Sequence, residues 1–211
     1  MNSKADEAYL IIKNKIINLE LRPLSDLSEE AFQRELGISR TPIREAIQRL
    51  AKEGFVRIYS RKATIVSDIT LDLINSVYEV RLLNEPYLAK LACRHVTDEE
   101  IKRLKEGFLR LKDNCESRDN REYYIALDKE LHDMLFKHCN NEFLQDLFRV
   151  INDHNQRIRI QTSRRNTSYY KSIEEHLEIL EAFEKRDEIV VEAAVRVHIQ
   201  NAKKEAFEFY A

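Results

Sequence analysis

Three of the chain's six histidines and one of its aspartates fall where a metal ion could draw them together. Asp128 and His132 are four residues apart, so on a helix they share one face. Leu127, Leu131 and Leu135 flank that face, which puts the pair at the border of a core. His176 follows Ser172-Ile173-Glu174-Glu175, a capping-box pattern that predicts a helix start. His198 lies between Val197 and Ile199, midway along the last helical run. Three imidazoles and a carboxylate on three helices of one bundle suit a single divalent transition ion, whether zinc, nickel, manganese or iron. The same residues also fit a plainer reading, as hydrogen-bonded histidines in a half-apolar core. Arg81, one turn ahead of Glu85 in an apolar helix, has two readings as well. It forms an intrahelical ion pair, or it offers a planar fork to a ligand carboxylate. Asn152, Asn155 and Arg159 are further candidates to reach the same space.

A second group of residues has a different chemistry. Ser39-Arg40-Thr41-Pro42-Ile43-Arg44-Glu45-Ala46 opens a short helix. At 100° per residue, Ile43, Ile47 and Leu50 fall on one side, and Thr41, Arg44, Glu45, Gln48 and Arg49 lie opposite or flank it. One side can pack on a small core while the other turns hydrogen-bonding groups outward. Upstream, Ser28 is placed to cap a helix over 29–36 and Gly37 to close it. This is the helix-turn-helix pattern, whose second helix enters the DNA major groove, although an ordinary helical hairpin has the same spacing. The residues after the second helix favour DNA. Residues 55–59 alternate as a strand, Ser60-Arg61-Lys62-Ala63 is a basic turn, and 64–66 form a second strand, together a wing. The expected DNA contacts are Ser39, Arg40, Thr41, Arg44, Gln48 and Arg49 on the helix, with Arg61 and Lys62 in the wing turn.

The elements that must position these groups are mostly helical. Only three glycines and three prolines disfavour a β-rich chain with many turns. Residues 8–19 read as an amphipathic helix carrying Ile12, Ile16 and Leu19, broken by Leu21-Arg22-Pro23. After the wing, 68–70 read as a linker, with Thr70 or Asp72 capping a helix over 71–94. Thr97-Asp98-Glu99-Glu100 is a capping box that opens a helix with Ile101, Leu104, Phe108 and Leu111 on one face. Further helices are expected over 120–139, 142–164 and 172–185, and from the break at Arg186-Asp187 to about residue 209. The fold class is mainly α, with a winged helix-turn-helix at 1–67 and an all-helical bundle of six helices at 71–211.

Charge and cysteine usage narrow the function. A net charge of −2 argues against a protein that is basic throughout. Residues 1–66 carry 12 Lys/Arg against 9 Asp/Glu, a balance of +3, and residues 67–211 carry 23 against 28, a balance of −5. The basic excess sits with the helix-turn-helix, where phosphates would be met. Cys93, Cys115 and Cys139 are far apart and odd in number, which predicts reduced thiols and a cytoplasmic location. Lys4, Asp6, Glu7, Lys13 and Lys15 interrupt any N-terminal signal core, and no segment is expected to span a membrane.

Leu27-Ser28-Glu29, Leu36-Gly37-Ile38-Ser39-Arg40-Thr41-Pro42-Ile43-Arg44-Glu45-Ala46 and Leu50-Ala51-Lys52-Glu53-Gly54-Phe55-Val56 resemble the winged-helix domain of GntR-type bacterial transcription regulators. The helices beyond the wing resemble the FCD-type ligand-binding domain of the FadR-like branch, in its shorter, six-helix version. The two resemblances cover nearly the whole chain. They imply a homodimer on a palindromic operator in double-stranded DNA, and a bundle that senses a small carboxylate metabolite beside one divalent transition ion. Asp128-x-x-x-His132, His176 and His198 match the metal-binding set of FCD domains residue by residue, and His95, His138 and His154 do not. In the family an arginine at the place of Arg81 points into the effector cavity. Two positions depart from the pattern. Glu30 stands where many members carry a basic or amide residue that touches DNA, and Arg61-Lys62-Ala63 replaces the usual wing-tip glycine. The expected function is a metal-containing, ligand-responsive transcription regulator, a repressor rather than an enzyme. One alternative is a metal-dependent hydrolase, although the chain lacks His-Glu-x-x-His and any evident nucleophile motif. The other is a regulator whose metal is purely structural.

Overall fold

The structure is a computed structural model that describes residues 3–59, 63–113, 120–139, 141–163 and 169–210. It divides into two compact units, Met1–Ile69 and Thr70–Ala211. In the first unit, α1 (Lys4–Ile17) starts four residues before the apolar periodicity does. The reason is a complete capping box, in which Ser3 accepts from the Asp6 N–H and Asp6 accepts from the Ser3 N–H. Two further helices come next, α2 (Glu29–Leu36) and α3 (Arg40–Lys52). Gly37 closes α2 at φ +65°, a left-handed conformation that glycine takes without a Cβ penalty. Ile12, Ile16, Phe32, Ile43, Ile47, Leu50 and Phe55 form the buried core. Strands β1 (Val56–Tyr59) and β2 (Ala63–Val66) pair antiparallel, with Val56 opposite Val66. The segment before α2 braces β2 from its other edge, where Leu24 and Leu27 donate to Val66 and Thr64 and the Val66 N–H donates to Ser25.

The second unit comprises α4 (Leu71–Ala92), α5 (Asp98–Asp113), α6 (Asn120–Lys137), α7 (Glu142–Ser163), α8 (Tyr170–Glu184) and α9 (Glu188–Tyr210). Thr70 caps α4 through Leu73 N–H, and Thr97 with Glu100 forms the capping box of α5. Pro86 lies inside α4 and removes the donor that would meet the Leu82 carbonyl. Arg196 of α9 donates to that carbonyl instead, at 3.4 Å. Gly107 lets α5 and α6 approach closely, since a Cβ there would stand 2.7 Å from a Leu127 methyl. Among the described residues, no helix is long and apolar enough to cross a membrane.

One local expectation is corrected. Ser172 does not start α8. The helix begins two residues earlier, at Tyr170, and its N-cap Tyr169 makes no side-chain capping bond. Ser172 Oγ instead accepts from Tyr124 Oη at 2.7 Å. Glu175 is thereby free of a capping role and turns to the interior of the bundle.

Candidate metal centre, cavity and nucleic-acid face

Asp128 and His132 project from α6, His176 from α8 and His198 from α9. The burial of Leu127, Leu131 and Leu135 turns the Asp128–His132 face of α6 inward. One ligand atom from each of the four residues lies within 4.8 Å of the others. His176 Nε2 stands 3.3 Å from His198 Nε2 and 3.3 Å from Asp128 Oδ1, and His132 Nε2 is 3.9 Å from Asp128 Oδ2. All four side chains are nearly enclosed, with 0–4% exposure for the residues. Phe108 walls off His176, with ring centroids 4.7 Å apart.

The second nitrogens of two imidazoles face carboxylates that no sequence spacing groups with them. His198 Nδ1 meets Glu175 Oε2 at 2.9 Å, and Glu175 Oε1 also accepts from Asn201. His132 Nδ1 lies 3.0 Å from Glu85 Oε2. The hydrogen bond to Glu175 holds a proton on His198 Nδ1 and leaves its Nε2 lone pair facing His176, the tautomer that a metal ligand needs. Burial, followed by the neighbouring His198, His132 and Arg159, pushes His176 well below the ordinary histidine range. Burial likewise lowers His198 to about 4, despite its bond to Glu175. At neutral pH both rings are uncharged and able to coordinate. The Nε2 atoms of His176 and His198 meet at 3.3 Å beside the buried Asp128 carboxylate, and Arg81 Nη2 stands 3.4 Å from His132 Nε2. Three imidazoles and a carboxylate brought together in this way fit a divalent transition ion.

Arg81 is sequestered to a degree that its sequence context did not suggest. Its Nε and Nη2 contact the two oxygens of Glu85 at 2.6 and 3.1 Å, and its Nη1 donates to Asn155 Oδ1 at 2.8 Å. The intrahelical pair is therefore formed, and it is buried rather than solvated. Burial pushes the Glu85 carboxyl up, but Arg81 and then His132 outweigh this and hold it below the usual carboxylate range. Arg159 reaches the same space from α7 and contacts Asp128 Oδ2. Burial lowers its guanidinium to about 10. Beside the donor set lies a cavity of about 400 Å³, bordered by Arg81, Asp128, His132, Arg159 and His198, with Tyr78 and Tyr124 among its walls. Asn152 borders a separate, smaller hollow between α6 and α7.

In the first unit, α3 buries Ile43, Ala46, Ile47 and Leu50 and exposes Arg40, Thr41, Arg44, Gln48 and Arg49. Ser39 is the N-cap of α3, yet its hydroxyl makes no capping bond. Arg40, Arg44 and Gln48 line a groove bounded by Glu29 and Glu30 of α2 and by Tyr59 and Thr64 of the strands. Arg49 turns away from this groove toward α1. It lies over the Tyr9 ring at 3.7 Å and pairs with Asp6 at 3.3 Å. Arg61 and Lys62 lie outside the described residues.

Residues 4–66 match the bacterial regulatory proteins of the gntR family, and residues 76–201 match the FCD domain. The chain is 30% identical to the Nta operon transcriptional regulator of Aminobacter aminovorans, over 87% of this chain and 85% of that one. Among solved structures, McbR/YncC of E. coli superposes with a TM-score of 0.84 over 100% of both chains at 19% identity. The metal-free FCD domain of TM0439 gives a TM-score of 0.58 at 19% identity, covering 68% of this chain and 97% of that one.

Proposed function

The chain belongs to the gntR family of bacterial regulatory proteins and carries an FCD domain, and we propose that it is a metal-containing repressor released by a small carboxylate. Its families and relatives are transcription regulators and not enzymes, so the hydrolase alternative is set aside. The observation that carries the proposal is the convergence of Asp128, His132, His176 and His198 beside a cavity that Asp128, His132 and His198 line together with Arg81 and Arg159. A divalent ion held by these four residues would supply a fixed positive charge there. Glu175 holds the His198 ring in place from behind, and the Glu85 carboxylate stands 3.0 Å behind His132 Nδ1. Arg81 borders the cavity with its charge matched by Glu85, and contributes chiefly by fixing Glu85 and Asn155. Arg159, whose partner Asp128 is also a candidate metal ligand, is the guanidinium better placed to meet an incoming carboxylate. The cavity supports an effector role for the centre over a purely structural one.

DNA binding follows from the helix-turn-helix, and Arg40, Thr41, Arg44 and Gln48 are the proposed contacts on α3. A homodimer is proposed because two recognition helices suit a palindrome. On α4, Leu83, Tyr87 and Leu91 form an exposed apolar stripe, at 72%, 53% and 40% exposure, that a second copy of the helix can cover. The test is a thermal-shift screen of small carboxylates on metal-loaded protein, followed by release of a duplex selected from random DNA. A hit that binds and also releases the duplex supports the effector role. Full metal occupancy with no carboxylate response would leave a structural metal.

A further inference from the structure

Glu29 is the first residue of α2, where Ser28 caps the helix and a negative charge is favoured by the helix N-terminus. Its carboxylate reaches across the turn to two cations of α3. Glu29 Oε2 accepts from Arg40 Nε at 2.6 Å and from Arg44 Nε at 3.1 Å. Arg40 and Arg44 are i,i+4 neighbours, so their charges stand side by side, and one anion between them removes their repulsion. The glutamate side chain lies behind them, 22% exposed against 55% for each arginine. Burial alone would raise its pKa, but the hydrogen bonds from Arg40 and Arg44 hold it below the ordinary value, so it stays ionised. Both arginines are held through Nε. Their terminal Nη pairs make no other hydrogen bond among the described residues, and both side chains line the groove of α3. A guanidinium fixed in this way offers its end-on fork, the geometry that pairs with O6 and N7 of guanine.

We propose that Glu29 is a specificity-determining positioning residue that clamps Arg40 and Arg44 for base reading. It does so at the expense of indiscriminate attraction to phosphate. The inference rests on the reading of Arg40 and Arg44 as base contacts. A free arginine pair would bind any backbone more strongly, because two unmatched cations release more counterions. Glu29 lowers that sequence-independent attraction and fixes both forks in one orientation. Capping of α2 is served by Ser28, which accepts from Ala31 N–H at 3.2 Å, and does not require Glu29.

The experiment compares two duplexes bound by the full chain. One is selected from random DNA with the wild-type protein, and the other is a shuffled sequence of equal composition. In Glu29→Ala the selected duplex should bind more weakly and the shuffled one at least as tightly, so that their affinity ratio falls at least about tenfold. Glu29→Gln keeps an acceptor but not the charge, and should recover part of the ratio. With Arg40→Ala/Arg44→Ala in place, Glu29→Ala should change the ratio no further. If Glu29→Ala fails to fold, Glu29→Gln carries the test, and its ratio must still fall below wild type. An unchanged ratio in folded Glu29 variants overturns the inference. So does an equal loss on both duplexes with a lower melting temperature, the signature of a structural role. A wild-type ratio in Arg40→Ala/Arg44→Ala would overturn the base-reading assignment itself, and this inference with it.

Discussion

Arg81 and Glu85 are both enclosed, and each would be a costly charge without the other. Truncating one partner of such a pair leaves an uncompensated buried ion, which costs about 3–5 kcal/mol. Arg81→Ala should therefore destabilise the second unit by about that amount, against tenths for a solvated i,i+4 pair. Denaturant unfolding of the two proteins measures the difference, and a loss near zero would mean that the pair is solvated. The same residues mark what the sequence could and could not reveal. Asp128 and His132 were legible because helical spacing places them on one face. Glu85 and Glu175 were not, because a carboxylate that backs a histidine from another helix has no spacing to betray it. Glu175 was also obscured by Ser172, whose pattern imitates a cap while its hydroxyl serves Tyr124.

At the level of elements, the start of α5 is fixed by Glu100. Its carboxylate accepts from the Thr97 N–H and contacts His138 Nε2 at 2.9 Å and Lys137 Nζ at 2.5 Å, tying α5 to α6. Burial raises its pKa, but Lys137, the Thr97 N–H and His138 outweigh this and hold it at about 2, below an ordinary value of 4.5. A folded pKa below the unfolded one means that the unfolded chain binds the proton first. The stabilisation is thus complete above pH 4.5 and is lost as pH falls from there toward 2. Glu100→Gln should lower stability at neutral pH and flatten the acid limb in that window. An acid limb as steep as wild type in pH-dependent melting would contradict this assignment. This element was legible, since Thr97 and Glu100 carry the capping box in their spacing. Helix α1 was legible only in part, because the Ser3–Asp6 capping box starts it upstream of the first residue that apolar periodicity can detect.

For the whole molecule, the winged unit and the helical bundle were both readable, one from its turn chemistry and the other from long 3.6-residue periodicities. What periodicity cannot convey is which exposed apolar residues are awaiting a partner. Leu83, Tyr87 and Leu91 belong to the same helical rhythm as the core, and only their exposure separates them. If a second copy covers this stripe, Leu83→Glu should yield a folded monomer with much weaker binding to a palindromic duplex, measured by sedimentation and mobility shift. A dimer unaffected by the substitution would place the interface elsewhere. The proposed function turns on four donors that bring α6, α8 and α9 to one ion. Elemental analysis of the purified chain, after incubation with zinc, nickel or manganese and removal of free ions, tests this most directly. We expect one ion per chain in the wild type, its loss in His132→Ala and His198→Ala, and a lower melting temperature in both. A wild-type chain that retains no stoichiometric metal would contradict the proposal and leave Asp128, His132, His176 and His198 as a polar core.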